Sequence, residues 1–188
     1  GWASTMLSYS SRPPDPAIAG EKRWRELWLE RLENQPFLAE VWLGHQHRDA
    51  YWKRGSICED FSAVKAAVLS IGGWHDGYRN TISHLVSNIQ SPVKGIVGPW
   101  IHKYPHYAGP KPAIGFLQEA LRWWDHWLKG AETGVEADPA YRAYVMDSVR
   151  PSRWHPERPG RWVAEQQWPS ANIKVEAIEL IPQGARPA

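Results

Sequence analysis

The chain has 188 residues, which fits one medium domain or parts of two. Its 22 basic and 20 acidic residues leave a formal net charge of +2, so no electrostatic case arises for nucleic acid or an anionic membrane surface. No apolar run approaches the roughly 20 residues that span a bilayer, and the single cysteine, Cys58, excludes an internal disulfide and suits a reducing, cytoplasmic setting.

Taken in order, residues 1–20 carry Ser8, Ser10, Ser11, Pro13, Pro14 and Pro16 and read as a loop or extended connection. Residues 21–33 read as a helix with Trp24, Leu27, Trp28 and Leu32 in one stripe, stopped by Asn34 and Pro36. A second short helix is expected at 37–43, followed by a polar and aromatic stretch over 44–52. A strand at 66–71 then opens the segment around which the rest is organised. Val68-Leu69-Ser70-Ile71-Gly72-Gly73-Trp74-His75-Asp76-Gly77-Tyr78 is answered by Val93-Lys94-Gly95-Ile96-Val97-Gly98-Pro99-Trp100-Ile101-His102. Each half is a short apolar run, then glycine, then tryptophan, and each delivers one polar residue: a carboxylate, Asp76, and an imidazole, His102. Between them Ile82, Leu85, Val86 and Ile89 recur at helical spacing, so 79–90 reads as an amphipathic helix. Strand, helix, strand implies a parallel pair with a right-handed crossover, buried on both faces. Ligands in such sheets sit beyond the carboxyl ends of the strands, where Asp76 and His102 would emerge side by side.

Residues 103–112 form a proline-rich loop, and 114–129 give the clearest helix, with Phe116, Leu117, Ala120, Leu121, Trp124 and Leu128 on one wide face and Gly130 as its stop. A polar linker over 131–139 leads to strand-like runs at 141–146 and 173–180, with Trp154, Trp162 and Trp168 spaced among prolines and glycines between them. Thirteen tryptophans are the compositional anomaly. Such rings either fill cores or line a pocket, and Trp74 and Trp100 are the best placed for a site because each lies near a candidate catalytic residue.

The order Asp then His, on successive strands, matches the last two members of a Ser-Asp-His triad in α/β-hydrolases. The run Gly73-Trp74-His75-Asp76-Gly77-Tyr78, with Gly98-Pro99-Trp100-Ile101-His102 and the helix ending Trp123-Trp124-Asp125-His126-Trp127-Leu128-Lys129-Gly130, closely resembles the CocE/NonD hydrolases, relatives of the S15-type X-Pro dipeptidyl-peptidases. The resemblance implies an α/β fold in three parts. Residues 1–60 would be the late part of a helical cap, 61–135 the C-terminal part of an α/β-hydrolase domain (a parallel sheet with flanking helices), and 136–188 the incomplete start of a β jelly roll. It implies a serine hydrolase cleaving ester, amide or acyl-peptide bonds through an acyl-enzyme, with no cofactor. Asp76 would orient the imidazole and His102 would be the general base. Tyr78, Trp74 and Trp52 would contact substrate; Trp52 closes a His-x-Asp-x-x-Trp pattern with His47 and Asp49.

The nucleophile is the gap in this reading. A Gly-x-Ser-x-Gly elbow is required ahead of the Asp, and Ser4, Ser8, Ser10, Ser11, Ser56, Ser62 and Ser70 all fail that frame. Together with Gly1 in place of an initiator Met, this leads to the expectation of a piece of a longer enzyme, inactive until the upstream part supplies the serine. The expected partner is a small ester or short acyl-peptide. His45, His47 and Asp49 resemble half a metal site but lack further ligands, so no metal is expected. The competing function is a non-catalytic, tryptophan-rich β module, for instance for carbohydrate. It would leave Asp76 and His102 apart and present coplanar exposed tryptophans in the last fifty residues or so.

Overall fold

The structure, a computed structural model, describes residues 1–181 and 184–187. It divides into two compact units, the first ending at Glu59 and the second beginning at Asp60.

The first unit is helical: α1 (Trp2–Ser10), α2 (Pro16–Ala19), α3 (Trp24–Asn34), α4 (Leu38–Gly44) and α5 (Ala50–Lys53). Residues 1–20 are therefore not the loop that their serines and prolines suggest. Pro16 stands at the start of α2, where a missing N–H costs nothing, and the Asp15 carboxylate caps that turn through Ala17 N at 2.9 Å. Only the turn at 11–14 behaves as its composition implies. The Trp28 indole N–H donates to Ser11 O at 2.8 Å and ties α3 to the end of α1. Asp49 caps α5 through Tyr51 N and also meets His45 Nδ1 at 2.6 Å. Burial is slight here: Ala3 is the one buried apolar residue among those described before Asp60.

The second unit is built on a mixed sheet of four strands with flanking helices. Its strands are β1 (Val68–Gly73), β2 (Val93–Gly98), β3 (Tyr141–Met146) and β4 (Gly160–Glu165), side by side in that order. Helix α6 (Arg79–Asn88) makes the crossover from β1 to β2, which run parallel. Strand β3 joins β2 in parallel and β4 joins β3 antiparallel. Residues 136–165, which the sequence assigns to the opening of a separate β domain, thus contribute two strands to the same sheet as β1 and β2. A two-stranded antiparallel pair, β5 (Ile178–Ile181) and β6 (Gly184–Pro187), stands apart from that sheet. The strand expected at 173–180 is realised only in its last residues, and positions 182, 183 and 188 of the expected β domain lie outside the described residues.

Side-chain alternation along β2 sorts the core into two faces. On one face Val97 packs with Ile82 and Val86 of α6 and with Tyr141 and Ala143 of β3. On the other, Ile96 packs with Trp100 and Ala108. Helix α7 (Phe116–Lys129) ends at Gly130, whose φ of 69° is the left-handed conformation that a glycine adopts without steric cost. It is tied to β3 by a two-pronged ion pair, Arg142 Nη1 and Nη2 to the Glu119 carboxylate, both at 2.9 Å. No helix among the described residues is long and apolar enough to cross a membrane.

Candidate active site

The register of the parallel pair decides where the polar residues go. Gly73 stands opposite Gly98, so the two strands end at the same height. Beyond them Trp74 N donates to Gly98 O at 2.9 Å and His75 N to Trp100 O at 3.0 Å. A side chain at Gly73 would put its Cβ 1.9 Å from the Trp100 carbonyl oxygen, so this approach requires glycine. Trp100 is fully buried and its indole N–H donates to Pro112 O at 2.8 Å, which pins the second loop to the body of the unit.

Held in this way, Asp76 and His102 meet: Nδ1 of His102 is 2.7 Å from Oδ2 of Asp76. The carboxylate is largely covered, at 11% exposure, whereas the imidazole is 77% exposed. Oδ1 of Asp76 accepts from Tyr78 N at 2.9 Å. Burial works against the charge on Asp76, but the Tyr78 amide, His102 and the Gly77 amide outweigh it and hold the carboxyl below its usual value of 3.8. Asp76 is thus an anion at neutral pH and can only accept. The hydrogen bond therefore places a proton on His102 Nδ1 and leaves Nε2 of the neutral ring as a lone pair. That is the protonation pattern of a general base whose partner hydroxyl approaches from the open side.

The other expected residues fall in different places. The Tyr78 ring lies 5.7 Å from that of His102 between centroids. Trp74 is engaged inside the unit: its indole N–H donates to Tyr144 O at 2.7 Å and its ring packs on the α6 face of the core. Trp52 belongs to the first unit, where its indole N–H donates to His45 O at 2.8 Å and its ring contacts Trp42 edge-on. Asp49 spends its oxygens on His45 and the α5 cap, and no group of three or more metal-ligating side chains converges among the described residues.

A cleft of about 730 Å³ opens beside the pair. It is lined by Ala67 and residues of β1, by Phe116, Ala120, Trp123 and Trp124 of α7, and by Asp76, His102, Lys103, Tyr104 and Tyr107. Tyr104 and Tyr107 fall in a stretch that reads only as loop from the sequence; two tyrosines within five residues of the candidate base were the available signal. His75 has no part in the sequence pattern either, although His75 Nδ1 lies 2.6 Å from Pro99 O.

A carboxylate and an imidazole thus meet just beyond the level ends of two adjacent parallel strands of a mixed sheet. The chain resembles two crystal structures of a CocE/NonD family hydrolase from Staphylococcus aureus, with TM-scores of 0.58 and 0.56 at 17% and 16% identity. Each likeness covers 82% of this chain and 26% of that one. The family is given by the sequence: the family model for X-Pro dipeptidyl-peptidases (S15 family) matches residues 1–104, more than half of the chain, and the chain belongs to that family. It is also 28% identical over 126 residues to two mycobacterial proteins, from Mycobacterium bovis and Mycobacterium tuberculosis, each named "Putative serine esterase". Those matches cover 63% of this chain and 17% of the relatives' length.

Proposed function

We propose that Asp76 and His102 are the acid and base of a Ser-Asp-His triad in a hydrolase of esters, amides or acyl-peptides that works through an acyl-enzyme. The observation that carries this reading is the 2.7 Å contact between the two side chains at the level ends of β1 and β2. His102 Nε2 takes the proton of a serine hydroxyl as it attacks the substrate carbonyl, then returns it to the leaving group. Asp76 holds the tautomer and stabilises the imidazolium formed in between. The serine and its oxyanion-hole amide come from a segment of the same enzyme beyond these 188 residues, since no serine in the sequence stands in a Gly-x-Ser-x-Gly frame. Two features give that segment a place to dock. Strand β1 is at the margin of the sheet among the described residues, and the cleft follows its length. Leu117, Leu121, Trp124 and Leu128 form an exposed apolar stripe along α7. In the same reading Tyr78 borders the acyl group, and the β5–β6 pair opens a further β domain of jelly-roll type.

The binding-module alternative draws less support. Trp168 stacks on Tyr141 at 4.3 Å between ring centroids, and Trp162 leans on Trp100 and Tyr144 rather than lying in a flat exposed row.

The test has two arms. The 188-residue chain alone is expected to hydrolyse an activated p-nitrophenyl ester at the buffer rate. The full reading frame is expected to carry a Gly-x-Ser-x-Gly before residue 1, and in that longer enzyme Asp76→Asn should lower kcat by about 10⁴-fold. An in-frame stop codon directly upstream, or a longer enzyme indifferent to Asp76→Asn, would sink the proposal.

A further inference from the structure

His102 is an exposed imidazole whose ring contacts are Asp76 and Tyr78. Little packing surrounds it, so its position is set mainly by its backbone. That backbone is gripped from the Asp76 side by one residue. His75 uses its main-chain N–H on the Trp100 carbonyl at 3.0 Å and its ring Nδ1 on the Pro99 carbonyl at 2.6 Å. Two consecutive carbonyls of the loop that delivers the base are thus held by the immediate neighbour of the acid. Resting on the triad reading above, we propose that His75 is a positioning residue: it couples the Asp76 turn to the His102 loop and so fixes the distance across which the acid and base pair.

The chemistry of the contact narrows what the side chain does. A peptide carbonyl only accepts, so Nδ1 of His75 carries the proton. The bond persists whether the ring is neutral or charged, because both forms can carry a proton on Nδ1. His75 is exposed, so loss of core packing does not account for its place. The glycine at 73 serves the same contact, since it lets the two turns approach closely enough for His75 to reach both carbonyls.

The test is the protonation site of the histidines, read from ¹⁵N resonances of the 188-residue chain at a pH where both rings are neutral. His75 and His102 are both expected to carry their proton on Nδ1. His75→Leu keeps the branched shape of His75→Asn but removes the donor. Leu should therefore shift His102 from the Nδ1–H form towards the Nε2–H form about fivefold, the worth of one ordinary hydrogen bond, while Asn restores the native ratio. An unchanged ratio in His75→Leu, or equal losses in Leu and Asn, would overturn the proposal. So would a native His75 protonated on Nε2, which is read without any variant and holds even if the Leu chain fails to fold. Asp76→Ala separates the two levels. If it leaves His102 on Nδ1, the acid–base pairing itself is wrong and the proposal falls with it. If it moves His102 while His75→Leu does not, only the role of His75 is lost.

Discussion

The two units of this chain solve the same problem with different means. The helical unit before Asp60 has one buried apolar residue, Ala3, and holds its turns with caps and exposed pairs such as His45 with Asp49. The sheet unit buries Ile96, Val97, Pro99 and Trp100 almost completely in one run of β2 and the loop after it. The candidate chemistry sits directly downstream of that run, at His102. A side chain that is itself 77% exposed can be placed reproducibly only if the backbone carrying it is not. The difference teaches that here the precision of the site comes from burial behind it, not around it.

The sharpest way to break the comparison is to remove the anchor. Trp100→Ala deletes a fully buried indole and the hydrogen bond to Pro112 O, and is expected to cost about 3–5 kcal/mol. Phe37→Ala, at 55% exposure in the helical unit, should change stability by no more than about 0.5 kcal/mol. Hydrogen exchange at the amides of β2 and of α4 reads the two effects separately. Comparable losses in both variants would mean that the helical unit has a core that its exposure does not reveal.

A smaller effect should follow from crowding the strand ends. In Gly73→Ala the new Cβ would lie 1.9 Å from a backbone oxygen, so the turn has to move; the expected cost is about 1–3 kcal/mol, with loss of the His75–Trp100 hydrogen bond. Gly55→Ala in the helical unit meets nothing within 4 Å and should be neutral. Urea denaturation of the two variants checks the stability, and the ¹⁵N state of His102 checks whether the pair is disturbed. A Gly73→Ala chain as stable as the parent would show that the close approach of the two turns is not required.

These effects trace which parts of the molecule were legible in the sequence. The apolar runs ending in Gly73 and Gly98, with a helical period between them, announce a parallel pair, and level strand ends bring Asp76 and His102 together. The extent of α7 was readable from its repeat and from Gly130. What was not readable depended on contacts far along the chain or on local caps. Trp74 looked like a pocket residue because of its neighbours, yet its N–H bonds to a carbonyl 70 residues away. Strand β4 was missed because an antiparallel margin strand with Arg161 and Glu165 carries almost no apolar alternation, and all of its residues are at least partly exposed. Helices α1 and α2 were hidden because serines and prolines mark turns in general, whereas here Ser8 and Ser10 stand inside α1 and Pro16 opens α2. His75 carried no signal at all, since its role lies in reaching a carbonyl rather than in a motif.

The least of the expected effects concerns charge, and it has a sign that can be worked out. Glu119 is 22% exposed and Arg142 27%, and their two-pronged pair joins α7 to β3. The Arg142 hydrogen bonds, set against burial that opposes the charge, hold the Glu119 carboxyl below its usual value of 4.5. A depressed carboxyl contributes stability that is fully present above its unfolded value and is lost as pH falls through the lower, folded one. Glu119→Gln should therefore destabilise the sheet unit by about 1–2 kcal/mol at neutral pH. It should also flatten the further loss that the parent shows between about pH 5 and pH 3. In the helical unit the exposed Asp49, whose carboxyl His45 also holds low, should give no measurable change when replaced by Asn, since solvent screens the pair. Urea midpoints at the two pH values decide the matter: a parent and a Glu119→Gln chain that lose stability equally on acidification would show that the ion pair does not hold α7, and that the wall of the cleft is fixed by packing alone.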